Sequence, residues 1–280
     1  MRLGQIESNK QIVAAIFEGE LARRIPNHTL RDLIRRSEEE SVPLTALAIK
    51  LADSHAEVAV PTIPIQPSEV WGCGCSYEAS AAFRDAERGT REGLYAYVYT
   101  STRPEVFFKG TARVCVGPGQ PIGIRSDSRS TSPEPELAVV LGSGGKILGY
   151  TIANDVSASD IERENPLFIP QSKIFTGCCA LGPVIVTADQ LPDLYNLSIS
   201  CTVKRGGKTI FSGATSTARL ARKIEDIVVF LLRSNPVPAG SVLMTGTGII
   251  VSGEAALVPG DIVSIKIPEI GELWNVAKSV

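Results

Sequence analysis

No stretch of the 280 residues approaches the run of about 20 apolar residues that a bilayer-crossing helix needs, so a membrane-spanning helix is not expected. The opening segment, MRLGQIESNKQIVAAIFEGE, lacks the charged-then-apolar layout of a secretory leader, and a cytoplasmic location is expected. Positive charge is not in excess: 28 Lys and Arg stand against 30 Asp and Glu, a net charge of −2. No global field therefore gathers nucleic acid or anionic lipid, and a small-molecule partner is the default. Histidine is nearly missing, with only His28 and His55. Cys73, Cys75, Cys115, Cys178, Cys179 and Cys201 are too sparse for a disulfide framework. Their spacing and the distance to either histidine do not suit a zinc site, so they read as reduced, packed thiols. Heptads, internal repeats and low-complexity tracts are also missing.

Hydrophobic residues at 44% and charged residues at 21% are ordinary globular usage, enough for a large core. Helical spacing is read at Ile12, Val13, Ile16 and Phe17, then at Leu30, Leu33 and Ile34, and again at Leu44, Leu47, Ala48 and Leu51. The mixed-sign run Arg35 to Glu40 reads as a solvated face. Pro61, Pro64 and Pro67 then mark an extended crossing, which predicts a small N-terminal α/β domain at 1–66 and a catalytic domain at 67–280. Beyond the crossing, short β-branched runs such as LAVVLG, ILGYTIA and GPVIVT alternate with Gly, Pro, Asn and Asp. Helices are expected near Glu78 to Glu87 and within Arg219 to Arg233. The class is α+β.

Chemistry concentrates in TSPEPELAVVLGSGGKILGYTIANDVSASDIE. Glu134 and Glu136 lie two positions apart where the run LAVVL begins, so an extended backbone sends both carboxylates to one side. Pro133 and Pro135 remove donors and stiffen the approach. GSGGK lacks the following Ser or Thr of a phosphate loop and reads as a hairpin turn, after which the returning strand ends on Asp155. Three oxygen donors without histidine or cysteine suit magnesium, with manganese or calcium as substitutes. Spacing alone leaves a solubilised hairpin face equally open. Lys173, among Ile174, Phe175 and Gly177, reads either as a lysine of lowered pKa acting as base or oxyanion partner, or as a salt-bridged lysine. Thr245-Gly246-Thr247-Gly248 presents amides and hydroxyls to a carboxylate or forms a tight turn.

In combination, E-x-E, GYTIANDVSASD, a lysine ahead of LGP, and TGTG resemble the fumarylacetoacetate hydrolase family, from about Trp71 to the C-terminus. The resemblance implies a mixed β-roll catalytic domain, a divalent ion on Glu134, Glu136 and Asp155, Lys173 as the active-site lysine, and TGTG as a substrate-binding loop. The blocks RPEVFFKGT, RSDS and NPLFIPQSKIFTGCCALGPVIVT are most like members that dehydrate 2-keto-3-deoxy sugar acids. That likeness adds Glu105 as a proton donor and Lys109 as a substrate ligand, with Gln171, Thr247, Ser76 and Arg84 in the substrate-binding set.

Family members that hydrolyse carbon–carbon bonds use a lid histidine with a glutamate to activate water. Here the lid reads GCGCSYEASAAFRDAE, with Ser80 about where the histidine falls. The expectation is a magnesium-dependent hydro-lyase turning a 2-keto-3-deoxypentonate into 2-oxoglutarate semialdehyde, in sugar-acid catabolism. The alternatives are an acylpyruvate or β-diketone hydrolase, an oxaloacetate decarboxylase, or a non-catalytic 2-oxo-acid sensor. The resemblance also implies a homodimer or homotetramer.

Overall fold

The computed structural model describes residues 1–87, 93–191 and 193–280. Its backbone is an eleven-stranded mixed sheet, a five-stranded sheet and a two-stranded ribbon, with short helices packed on them. In the large sheet the N-terminal meander Arg2–Ser8, Gln11–Glu18 and Leu21–Ile25 joins the catalytic strands through Leu3, which faces Ile185 of Cys179–Thr187. Ile147–Asp155, Pro135–Leu141, Ser241–Met244, Val70–Gly74 and Glu105–Gly110 follow in that spatial order.

Side-chain alternation builds a layer on each face of that sheet. Ala138, Val140 and Ala153 pack with Leu33, Ile34 and Leu47 of the helices Leu30–Glu39 and Leu44–Leu51. Leu137, Val139 and Ile152 point the other way and pack with Ile199, Val203, Val263 and Ile265 of the five-stranded sheet. Fully burying one such side chain stabilises by about 1.5–3 kcal/mol, so two continuous clusters give the sheet a firm frame.

The segment Gln11–Glu18 corrects the helical reading. It is a strand, with Ala14 and Ile16 in one core and Val13, Ala15 and Phe17 in the other. A strand buried on both faces has no polar alternation, and its apolar run mimics helical spacing. The expected helices at Leu30–Glu39 and Leu44–Leu51 do form, and Thr29 closes a capping box on Asp32 at the first. The helix Glu78–Glu87 forms as well, while the Arg219 to Arg233 stretch narrows to Ile224–Leu231. Among the described residues no helix is long and apolar enough to cross a membrane.

Candidate active site

The hairpin Pro135–Leu141 and Ile147–Asp155 sets the site through its register. Pro135 faces Asn154 and Glu136 faces Ala153, with GSGGK at the turn as expected. Glu134 and Asp155 therefore stand opposite each other, joined by Asp155 N donating to Glu134 O at 2.9 Å. Directly opposed residues share a face of an antiparallel pair, and so does a residue two positions on. Glu134, Glu136 and Asp155 meet for that reason, one oxygen of each lying within 4.8 Å of the others. Pairing with Ser241–Met244 begins only at Ala138, so Pro135 removes no donor the sheet uses. Asn154 Oδ1 accepts from Glu134 N at 3.0 Å and fixes the strand end.

Two ammonium groups clamp Asp155. Lys109 Nζ lies 2.5 Å from Oδ1 and also donates to Val156 O at 2.9 Å. Lys173 Nζ donates to Asp155 Oδ2 at 3.2 Å, to Glu134 Oε2 at 2.9 Å and to Ser157 Oγ at 2.6 Å. Glu162 Oε2 lies 4.0 Å from the same nitrogen. Burial by itself lowers a lysine pKa, but Asp155, Glu134 and Glu162 reverse this and hold Lys173 above its ordinary value. The salt-bridged reading of this lysine is the one the geometry shows, because three carboxylates face one nitrogen. Burial likewise opposes ionisation of Asp155, and Lys109 and Lys173 outweigh it.

Glu136 is different. Burial, joined by the negative charges of Asp155 and Glu134, pushes its carboxyl well above the ordinary range, against the Gly246 amide that donates to Oε2 at 2.6 Å. A trio of oxygen donors in which Glu136 and Asp155 are buried and the Glu136 carboxyl resists ionisation fits a hard divalent cation, which supplies positive charge and needs no nitrogen or sulfur ligand.

A cleft opens beside the trio, and its wall includes Glu134, Glu162, Arg84, Tyr95, Ser80 and Thr247. Arg84 reaches across from the helix Glu78–Glu87, its Nη1 2.7 Å from Glu162 Oε1 and its Nη2 3.2 Å from Glu134 Oε1. Its guanidinium also stands over the Tyr95 ring, 5.7 Å from the centroid. Burial opposes the charge on Arg84, and Glu162, Glu134 and Glu105 raise its pKa above the ordinary value. Glu105 faces Gly74 across the strand pair, and its charge joins burial in pushing the Cys75 thiol pKa up. A Cβ at Gly74 falls 2.1 Å from Glu105 Oε2, so a larger residue there displaces that carboxylate from its position. Thr247 Oγ1 donates to Ile249 O at 3.3 Å and accepts from Ile249 N at 3.2 Å, which shapes the loop at the cleft.

Other expected residues sit apart from the opening. Lys109 is 0% exposed and lies behind Asp155. Ser76 is buried and donates to Thr245 O at 2.6 Å, bracing the TGTG loop. Gln171 is exposed, and its carbonyl accepts from Arg125 Nη1 at 2.9 Å. Glu162 and Ser157 were not singled out from the sequence. They follow Asp155 at seven and two positions, and the only hint was the density of acids in NDVSASDIERE.

The loop yields a direct test. Gly246 has φ +89°, and a Cβ there falls 1.9 Å from Ser76 Oγ and 2.7 Å from Cys73 O. Gly246→Ala is expected to lower the unfolding free energy by about 1–3 kcal/mol, because the backbone conformation is strained and the brace must shift. Calorimetry or denaturant melts check it.

Comparison with known proteins places the chain in a family. The family described as fumarylacetoacetate (FAA) hydrolase C-terminal matches residues 75–277, and the chain belongs to that family. A 2-dehydro-3-deoxy-D-arabinonate dehydratase of Saccharolobus solfataricus is 51% identical over 220 residues, covering 78% of this chain and 74% of that one. A solved structure, 2-keto-3-deoxy-D-arabinonate dehydratase complexed with magnesium and 2,5-dioxopentanoate, superposes with a TM-score of 0.83 at 40% identity, covering 100% of this chain and 99% of that one. An oxaloacetate tautomerase of Rattus norvegicus is 33% identical over 186 residues, 61% of this chain and 58% of that one.

Proposed function

We propose that this family member is a magnesium-dependent hydro-lyase that removes water from a 2-keto-3-deoxypentonate to give 2,5-dioxopentanoate, the semialdehyde of 2-oxoglutarate. The observation that carries the reading is the trio Glu134, Glu136 and Asp155 with a buried lysine against it, next to a cleft that Glu134 lines and whose described lining has no histidine. The dehydratase that was solved with magnesium and 2,5-dioxopentanoate supports it. Glu134, Glu136 and Asp155 would hold the ion. Magnesium bound there would supply Lewis-acid polarisation of a 2-oxo acid and would offset the charges that raise the Lys173 pKa.

The chain's own groups do the rest. Lys173 Nζ takes a proton from carbon 3, and Ser157 Oγ, 2.6 Å away, holds that nitrogen in place. Glu105 gives a proton to the hydroxyl on carbon 4, which leaves as water while the carbon 3–carbon 4 double bond forms. A proton then moves from carbon 5 to carbon 3 to leave an enol, and the enol hydroxyl's proton moves to carbon 4 to give the aldehyde, so one water is lost and nothing else. Arg84 and Thr247 line the cleft and would orient the substrate's polar tail. Lys109, shut behind Asp155, acts by fixing that carboxylate rather than by touching substrate.

Every residue in this scheme lies within 67–280, which we take as the catalytic domain, with 1–66 a small appended α/β domain. A homodimer or homotetramer in the cytoplasm belongs to the same reading. In support, Val58 and Val60 stand 73% and 81% exposed beside the strand Glu57–Val58 that ends the large sheet. The purified protein with magnesium and 2-keto-3-deoxy-D-arabinonate is expected to release the semialdehyde, measured with an aldehyde dehydrogenase couple. Cleavage of an acylpyruvate with no semialdehyde overturns the assignment.

A further inference from the structure

Both ends of the helix pair that walls the cleft converge on a single tripeptide. The helices Glu78–Glu87 and Leu94–Thr100 bring Arg84 and Tyr95 to the opening. The chain reaches the first helix through Ser76 and Tyr77. There Ala221 N donates to Ser76 O at 2.9 Å, and Leu220 forms an isolated antiparallel bridge with Tyr77. The chain leaves the second helix through residues 98–102, where the Arg222 guanidinium gathers the departing carbonyls. Nη2 donates to Val98 O at 3.1 Å, to Tyr99 O at 3.2 Å and, more closely, to Ser101 O, while Nη1 donates to Thr102 O at 3.3 Å. The last carbonyls of a helix lack partners within it and carry partial negative charge, so one planar cation satisfies several together.

The tripeptide is held from behind. Thr217 Oγ1 donates to Leu194 O at 2.8 Å and accepts from Leu197 N at 2.9 Å. Tyr195 Oη accepts from Ile224 N at 2.9 Å. Leu197 and Leu194 are themselves in the main core, so the tether runs from the core to both roots of the helix pair. Arg84 meets Glu162 and Glu134 only if that pair stands where it does. A misplacement of about 1 Å in a positioning group costs on the order of 100-fold in rate, which makes such a tether matter to catalysis.

We infer that Leu220–Arg222 anchors the cleft-walling helices and that Arg222, outside the cleft, is a positioning residue for the reaction proposed above, on which its kinetic consequence rests. Two variants, Arg222→Lys and Arg222→Met, test it with two independent readouts. Amide hydrogen exchange across residues 94–101 is expected to speed up by at least about tenfold in Arg222→Met and less in Arg222→Lys, with exchange in the large sheet unchanged. In steady-state dehydration, kcat is expected to fall and KM to rise together, lowering kcat/KM by about tenfold in Arg222→Met, with partial recovery in Arg222→Lys.

Unchanged exchange in 94–101 overturns the anchor. Faster exchange with both kinetic constants at parent values, or a fall in kcat with KM unchanged as a smaller active fraction gives, overturns the positioning role. If Arg222→Met does not fold, Arg222→Lys carries both readouts. A parent protein without dehydratase activity counts against the proposed function, and the exchange measurement still decides the anchor.

Discussion

Lys173→Met is expected to remove turnover, by at least about 10³-fold in kcat, while the protein still binds magnesium. The size follows from what is lost: proton transfer by a positioned side chain contributes about 10²–10⁴-fold, and a fixed charge near a developing oxyanion contributes a similar factor. Magnesium binding survives because Lys173 competes with a cation for Glu134 and Asp155, at 2.9 and 3.2 Å. Without the ammonium those carboxylates are freer, so affinity is held or rises. The metal-free variant is expected to be the fragile state. Breaking a buried ion pair from one side costs about 3–5 kcal/mol, and here it strands carboxylates that magnesium then compensates. Lys173→Arg separates two roles. It keeps the charge and cannot deprotonate, so it restores little if Nζ takes the carbon 3 proton and much if Nζ only stabilises the enolate. Single-turnover dehydration together with magnesium titration calorimetry reads both, and a Lys173→Met protein with near-parental turnover sinks the mechanism. A non-catalytic 2-oxo-acid sensor with this pocket would lose only affinity.

The carboxylate trio was legible in the sequence because strand geometry is simple arithmetic. Glu134 and Glu136 share a face by their spacing, and Asp155 joins them because the GSGGK turn sets one register for the hairpin. What depends on packing between distant segments was not legible in that way. Lys109 and Lys173 are both lysines in apolar stretches, and nothing in their neighbours says that the first lies behind Asp155 and the second before it. Gln171 sits two positions before Lys173 on the short helix Ile169–Lys173, where that interval turns a side chain well away from its partner, and it is exposed. The protonation of Lys173 could not be read from its own segment, since the three acids that fix it come from two strand ends and the helix Ser159–Glu164. The N-terminal strand Gln11–Glu18 was hidden for the opposite reason. Its two buried faces erase the alternation by which strands are recognised.

Glu136→Gln is expected to have opposite effects on the empty and the metal-loaded protein. In the empty protein the Glu136 carboxyl is raised by burial and by Asp155 and Glu134, so the folded chain holds its proton more tightly than the unfolded chain does. A raised carboxyl favours folding below the unfolded value and works against it as pH climbs through the folded one, where an unwelcome charge must form. The neutral amide escapes that penalty and still accepts from the Gly246 amide, so at neutral pH the metal-free variant should melt above the metal-free parent. With magnesium the order reverses. Binding to the native state alone stabilises the parent by about 2.7 kcal/mol at a concentration 100 times the dissociation constant. The variant, lacking one of three anionic ligands, should lose magnesium affinity by at least about 100-fold, more than removal of an outer supporting partner costs, and its turnover with it. The parent's own affinity should fall by up to about tenfold for each pH unit lost below the raised value, because the ion must displace the Glu136 proton. Melting curves with and without magnesium, taken from pH 5 to 8, read all of this at once. A parent whose magnesium affinity is flat with pH, or a variant that keeps its magnesium-induced shift in Tm, would remove Glu136 from the metal site.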